Sequence, residues 1–169
     1  MNSNQRLIQL VNDLLEVARS EAGRLAVQLV PVDVILPVKA VLSELKPLFD
    51  EKKIRPVYEP ASNLPKTLAD ELRLKEVLIN LIGNAIKYTI GSGTVTVSHE
   101  IKEKELITHI KDTGIGIPRE AQAKLFEKFY RVQDSRAREI TGTGLGLFIV
   151  KIIVEKMNGQ IWFESDRHH

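Results

Sequence analysis

"LINLIGNAIKYT", residues 78–89, reads as a helix that is apolar almost all the way round. Asn80 and Asn84 nevertheless sit one turn apart in it, and Lys87 follows three residues later. Asparagine costs up to ~0.7 kcal/mol per residue in a helix relative to alanine. Working outward, Asp70 is placed to cap the N-terminus of this helix, which ends near Tyr88. At about 100° per residue, Arg73, Glu76, Asn80, Asn84 and Lys87 fall within a sector of roughly 80°. Leu78, Leu81, Ile82, Ala85 and Ile86 fill the opposite side. A solvated polar face explains a stripe but not its amides, because such faces are usually filled with Glu, Lys and Gln. An asparagine carbonyl oxygen suits a hard cation such as Mg²⁺, which shares its oxygen ligands with phosphates and water. Lys87 is then positioned to meet a phosphate as a point charge.

The rest of the chain arranges itself around that helix. Residues 4–22 carry Leu7, Leu10, Val11, Leu14, Leu15 and Ala18 at helical spacing, with Gly23 as the stop. The stripe resembles a coiled-coil seam and favours packing against a second copy over packing on its own domain. Residues 25–30 alternate like a strand. Residues 34–53 read as one helix that Pro47 kinks. Residues 54–59 form a strand whose proline, Pro56, suggests an edge. Residues 94–101 and 105–112 form a hairpin, and His99 and His109 are ordinary strand residues there. A short helix follows Pro118, residues 145–157 form a helix closed by Gly159, and residues 160–165 read as a last strand. The pattern predicts an α/β fold, a two-layer sandwich of a mixed β-sheet with about three helices on one face, preceded by an N-terminal helix.

Composition narrows the functional classes. The chain has 169 residues, 43% of them hydrophobic and 27% charged, which suits a soluble globular fold. Cysteine is absent, which removes disulfides, thiolate metal sites and cysteine nucleophiles and is compatible with a reducing cytosol. A net charge of +2 gives no argument for nucleic acid or an anionic membrane. No apolar run approaches the ~18 residues of a membrane span, and no signal peptide is visible. His168 and His169 read as a tag remnant rather than metal ligands.

Three further motifs carry chemistry. In "DTGIGIP", residues 112–118, Asp112 ends a strand, where its carboxylate can accept a hydrogen bond from the exocyclic amine of a base. Gly114 and Gly116 allow a tight turn and close approach of backbone to a ligand. In "GTGLGLFIV", residues 142–150, Gly142, Gly144 and Gly146 run directly into an apolar helix, whose free N-terminal amides suit a phosphate. No Gly-Lys-Ser/Thr follows and no βαβ unit encloses the turn, so it is neither a Walker loop nor a dinucleotide fingerprint. In "LFEKFYR", residues 125–131, Phe126 and Phe129 stand at helical spacing. Between them and Gly142 lies a polar segment with Arg131, Arg136 and Arg138, a composition suited to a lid whose arginines reach phosphate.

The amide helix, D-x-G-x-G, F-x-x-F and G-x-G-x-G occur in the order of the N box, first glycine box, F box and second glycine box. In this the chain resembles the catalytic ATP-binding domain of bacterial sensor histidine kinases, a Bergerat-type fold. "LIQLVNDLLEVARSEAGRLAVQLVPVDV" resembles the end of the dimerisation hairpin running into that domain, which implies a division at residues 1–23 and 24–169. The resemblance implies ATP and Mg²⁺ as ligands. Asn84 would hold the metal with Asn80 assisting, Lys87 would contact a phosphate, and Tyr88 would flank the adenine. Asp112 would bond the adenine amino group, Gly114, Gly116 and Ile117 would form the adenine wall, and the turn through Gly142, Thr143, Gly144, Leu145 and Gly146 would cradle phosphates. Arg131 would steady the transferring phosphoryl group, and Phe126 and Phe129 would anchor the lid. The implied partners are a histidine-bearing dimerisation domain, a response regulator and a second copy in a homodimer, with a cytoplasmic location.

Two departures from the family pattern stand out. The family's phospho-accepting histidine motif has no match here, so the acceptor must come from elsewhere. The family usually adds a glycine-rich turn and one more strand, so one sheet edge is expected to be open. Hydrolytic relatives such as gyrase and heat-shock chaperones have a glutamate one turn before the metal-binding asparagine. Here that position is Asn80, which cannot take a proton from water, so phosphoryl transfer is favoured over hydrolysis. A nucleotide-binding switch without catalysis is the other alternative, and Arg131 argues against it.

Overall fold

A computed structural model describes residues 3–61, 63–132 and 142–165. Helix α1 spans Ser3–Glu21, α2 Ile35–Glu44, α3 Lys46–Glu51, α4 Glu71–Tyr88, α5 Arg119–Gln122 and α6 Gly146–Lys156. Strand β1 spans Val30–Val32, β2 Arg55–Tyr58, β3 Thr67–Ala69, β4 Thr94–Lys102 and β5 Glu105–Asp112. Strand β2 lies parallel to β4, and β4 pairs antiparallel with β5, giving a three-stranded mixed sheet. Strands β1 and β3 form a separate antiparallel pair.

Helix α4 sits between two cores. Leu78, Ile82, Ala85 and Ile86 pack with Val38, Val41 and Phe49, and with Val95 and Val97 of β4. Val77 turns instead toward Val17 of α1, Leu145, and Ile149, Val150 and Ile153 of α6. Fully burying an aliphatic side chain such as Ile82 contributes about 1.5–3 kcal/mol, so two apolar contacts clamp the helix and leave its polar stripe facing a groove. Asp70 caps α4 as its position in sequence requires, accepting the Arg73 N–H at 3.1 Å. Its second oxygen accepts the Gln28 N–H at 2.9 Å. That bond above all holds the Asp70 carboxyl below the usual carboxylate range.

Several sequence expectations need correction. The kinked helix over 34–53 is two helices separated at Leu45, and Pro47 lies in the first turn of the second, where its missing N–H costs nothing. The strand expected over 25–30 is only Val30–Val32, and β3 was hidden in a polar stretch too short to show a period. The expected single sheet is divided in two among the described residues. Residues 160–165 are extended but form no ladder, so β5 pairs only with β4 among the described residues. Helix α6 closes through the Gly159 N–H to the Val154 carbonyl, yet it is Asn158, at φ 61°, that adopts the left-handed conformation. At α1 the stop is Gly23 itself, at φ 67°, with the Arg24 N–H bonded to the Arg19 carbonyl. The apolar stripe of α1 faces outward: Leu7, Leu10, Val11, Leu14 and Leu15 are exposed, and Asp13 and Val17 make the buried contact instead.

Candidate nucleotide site

The stripe of α4 meets both glycine turns, and the glycines mark the meeting points. A methyl group on Gly146 would lie 2.9 Å from Asn80 Oδ1. One on Gly142 would lie 2.7 Å from Lys87 Nζ, and one on Gly114 would lie 2.6 Å from the Tyr88 carbonyl oxygen. A larger residue at Gly114 would strike α4 backbone, whereas at Gly142 it would displace only the end of the Lys87 side chain. Gly144 adopts φ 75°, and a methyl there would strike the Phe129 backbone at 2.7 Å. Phe129 is itself left-handed, at φ 61°.

The C-terminus of α4 is held on every carbonyl. Lys52 Nζ donates to the Ile86 and Lys87 carbonyls at 3.0 and 2.9 Å. The Ile115 N–H donates to the Tyr88 carbonyl at 3.2 Å, and the Thr89 N–H and hydroxyl both donate to Ala85. A cation at a helix C-terminus also complements the helix dipole. The result is that Lys87, Tyr88 and the D-x-G-x-G turn have fixed relative positions. Asp112 Oδ1 accepts the Gly114 N–H at 2.8 Å, which shapes that turn and leaves Oδ2 for an outside donor. The Ile117 N–H donates to Ser165 Oγ at 2.9 Å, so the extended segment 160–165 braces the same turn.

Positive charge gathers at the Lys87 end of the groove. Burial first, and then the neighbouring Arg131 and Lys52 charges, push the Lys87 ammonium below its ordinary value. Burial raises the Tyr88 phenol. An anion bound beside Lys87 would favour its charged form. No group of three or more His, Cys, Asp or Glu side chains able to hold a metal occurs among the described residues. The oxygen donors available are the amides of Asn80 and Asn84, which fit a Mg²⁺ that draws its remaining ligands from phosphates and water.

Asn80, Asn84, Lys87, Tyr88, Asp112, Gly114, Gly116, Ile117, Arg131, Gly142, Thr143, Gly144 and Gly146 all border one broad open cleft, whereas Phe126, Phe129 and Leu145 do not. Those three need separate statements. Leu145 is fully buried, and its N–H and carbonyl are engaged by Thr143 Oγ1 and the Ile149 N–H. Its side chain belongs to the core. Phe126 lies on a turn rather than a helix and packs its ring 5.8 Å from that of Phe163. Phe129 is 59% exposed, and its backbone lies against Gly144. Arg136 and Arg138 lie outside the described residues. His99 and His109 stay on their strands, bonded to Tyr58 and Thr108 and to Glu100. Lys52, Ser165 and Asp13 were not singled out by sequence, because each acts on a partner distant in the chain and belongs to no local pattern.

A two-layer α/β fold with an amide-bearing helix between two glycine turns defines a nucleotide-binding domain. Residues 69–169 match the family model described as histidine kinase-, DNA gyrase B-, and HSP90-like ATPase. The circadian input-output histidine kinase CikA of Synechococcus elongatus is 36% identical over 173 residues, covering 97% of this chain and 22% of that protein. The sensor histidine kinase WalK of Bacillus subtilis is 35% identical over 170 residues, covering 97% of this chain and 27% of that protein. Among solved structures, the histidine kinase AdeS of Acinetobacter baumannii superposes with a TM-score of 0.78 at 30% identity, covering 95% of this chain and 72% of that one. ShkA, crystallised with AMPPNP, gives a TM-score of 0.77 at 34% identity, covering 90% of this chain and 31% of that one. The chain thus belongs to the histidine kinase-, DNA gyrase B- and HSP90-like ATPase family, on its sensor histidine kinase branch. It spans about a quarter of the length of the two curated relatives named. No described helix is long and apolar enough to cross a membrane.

Proposed function

We propose that this chain is the ATP-binding catalytic part of a cytoplasmic sensor-kinase module that transfers the γ-phosphoryl of Mg-ATP to a histidine carried on a dimerisation domain. The observation that carries this is the meeting of α4 with both glycine turns, at Tyr88 with Gly114 of the first and at Asn80 with Gly146 and Lys87 with Gly142 of the second. Asp112 and the turn through Gly114, Gly116 and Ile117 would take the adenine, with Tyr88 beside it. The first-turn amides of α6, which no side chain caps, would face the phosphates with Lys87. Asn84, with Asn80 next to it, would hold Mg²⁺, which supplies positive charge at the phosphate oxygens. Arg131, on the rim of the cleft, would stabilise charge on the transferring group. Transfer rather than hydrolysis fits the surroundings of Asn80. Its amide nitrogen donates to the Glu76 carbonyl at 3.1 Å, and the Glu76 carboxylate is paired with Arg73 at 2.8 Å, so Asn80 and Glu76 offer no free base to a water at the phosphate end. The exposed stripe of α1 supports residues 1–23 as part of a helical dimer interface, with 24–169 as the catalytic unit. A response regulator would receive the phosphoryl group downstream. The direct test mixes the chain with Mg-ATP and a separate histidine-bearing hairpin. Acid-labile phosphate on the hairpin is expected, and its absence, or ATP turnover as fast as a dedicated ATPase, would overturn the assignment.

Two quantitative expectations follow from the geometry. Asn84→Ala is expected to weaken Mg²⁺-dependent ATP binding by about tenfold or more, the loss of one charge-assisted contact, while adenosine affinity stays unchanged. An unaltered Mg-ATP affinity would remove Asn84 from the metal. Lys87 gives a pH dependence whose sign is determined. Bound phosphate favours the ammonium, so the complex holds the proton to higher pH than the free protein does. ATP affinity is therefore level below the free-protein value of Lys87 and falls as pH rises through it. Because that value is lowered from 10.5, the fall begins earlier than for an ordinary lysine. Calorimetric titrations across alkaline pH should show it in the native chain and not in Lys87→Met.

A further inference from the structure

Helix α1 reaches the phosphate turn through a polar contact. Asp13 is 9% exposed, on the side of α1 that packs toward α6. Its two oxygens have different donors. Gln9 Nε2 donates to Oδ1 at 2.7 Å, and Thr143 Oγ1 donates to Oδ2 at 2.8 Å. The Thr143 oxygen in turn accepts the Leu145 N–H at 3.2 Å. A connected chain of three hydrogen bonds thus runs from α1 into the last residue before α6. A hydroxyl that donates to a carboxylate becomes a better acceptor, so the bonds reinforce one another.

This arrangement does two things to the turn. It holds Thr143 between Gly142 and Gly144, whose backbones are in contact with Lys87 and Phe129. It also engages the Leu145 N–H within the protein, which leaves the phosphate to the amides that follow. Leu145 is 0% exposed and packs with Val17 of α1, so the apolar and polar contacts of α1 converge on the same residue pair. The outward stripe of α1 lies on a different side of the helix from Asp13. A turn of α1 by one residue, about 100°, would carry Asp13 away from Thr143.

We propose that Asp13 is a positioning residue for the phosphate turn: through Thr143 it fixes the Gly142–Gly146 segment, so that affinity for the nucleotide's phosphates depends on α1 staying docked. This rests on reading that turn as the phosphate cradle. Asp13 touches no nucleotide and would act on the phosphate end alone, leaving the adenine wall at Asp112 as it is.

The test compares Mg-ATP with adenosine on the full chain by calorimetry. Asp13→Ala should weaken Mg-ATP about tenfold, the worth of one charge-assisted bond, and leave adenosine unchanged. Asp13→Asn, which keeps an acceptor oxygen, should recover most of the loss. Thr143→Val should reproduce it and Thr143→Ser should not. The double variant Asp13→Ala/Thr143→Val should be no worse than the weaker single variant, because the two act through one bond. Equal loss for ATP and adenosine, additive effects in the double variant, or an unchanged ATP affinity in Thr143→Val would each overturn the role. Where Asp13→Ala fails to fold, Asp13→Ser, too short to reach Thr143, is set beside Asp13→Asn: loss of Mg-ATP affinity in the first alone is expected, and equal affinities would overturn the role. Asp112→Asn separates this from the site assignment: it should weaken both ligands. If it weakens neither, the nucleotide is misplaced and Asp13 cannot be positioning its phosphates.

Discussion

Arg131→Ala is expected to leave Mg-ATP affinity within a few-fold of the native chain and to cut transfer to a histidine-bearing hairpin by about 10³-fold or more, as loss of a transition-state arginine does in other phosphoryl transfers. Arg131 is exposed at the mouth of the cleft, yet close enough for its charge to disfavour the Lys87 ammonium and to offset part of the rise that burial gives the Tyr88 phenol. Lys87 is drawn in by α4 and half-buried, whereas Arg131 follows the turn of Phe129 and can approach the distal phosphate. A cation so placed gains most when charge spreads over the transferring group, so its removal acts on the rate and not on ground-state binding. Single-turnover transfer measured beside equilibrium binding separates the two. Transfer that survives within tenfold would show that the stabilising charge is elsewhere. Parallel losses in binding and transfer would make Arg131 an ordinary phosphate contact.

Gly144→Ala is the second large effect. A left-handed alanine costs roughly 1–2 kcal/mol, and forcing a methyl into packed surroundings costs roughly 1–3 kcal/mol more. The obstacle is the Phe129 backbone at 2.7 Å, which cannot rotate away as a side chain would. The strain should be released by separating the two turns, since the Phe129 ring is exposed and makes little to hold it. ATP affinity is expected to fall by at least about 30-fold, corresponding to ~2 kcal/mol. Thermal unfolding should shift by only a few degrees, because both cores of α4 are untouched. Gly83→Ala is the control: it lies in α4 with open space around its would-be methyl, and should leave the melting temperature unchanged or raised. A Gly144→Ala variant that binds ATP normally would mean that the contact between the turns is dispensable.

The legible parts of this protein were those with local causes. Asp70 caps α4 because a carboxylate three residues before a free N–H can reach it. The stripe from Arg73 to Lys87 follows from helical period. The β4–β5 hairpin follows from alternation interrupted by "KEKE". Both glycine turns were recognised as places of close approach, although what approaches them was not. The misread parts depended on contacts. Residues 160–165 alternate like a strand but join no ladder among the described residues. Phe126 and Phe129 have helical spacing, yet that segment is a series of turns, because Phe129 takes a left-handed conformation against Gly144. Leu145 belongs to its motif by position but to the core by burial.

By itself the sequence determined the long helices α1, α4 and α6, the β4–β5 hairpin, the order of the four motifs and the chemistry each can perform, because propensity, period and capping act over a few residues. Tertiary structure alone decided which of those groups meet. It brought Asn80 to Gly146 and Lys87 to Gly142, sent Lys52 across 35 positions to the carbonyl of Lys87, and joined Asp13 to Thr143 across 130. Those pairings arise from how α4 is wedged between two apolar cores, and packing of that kind leaves no mark at any single position of the chain.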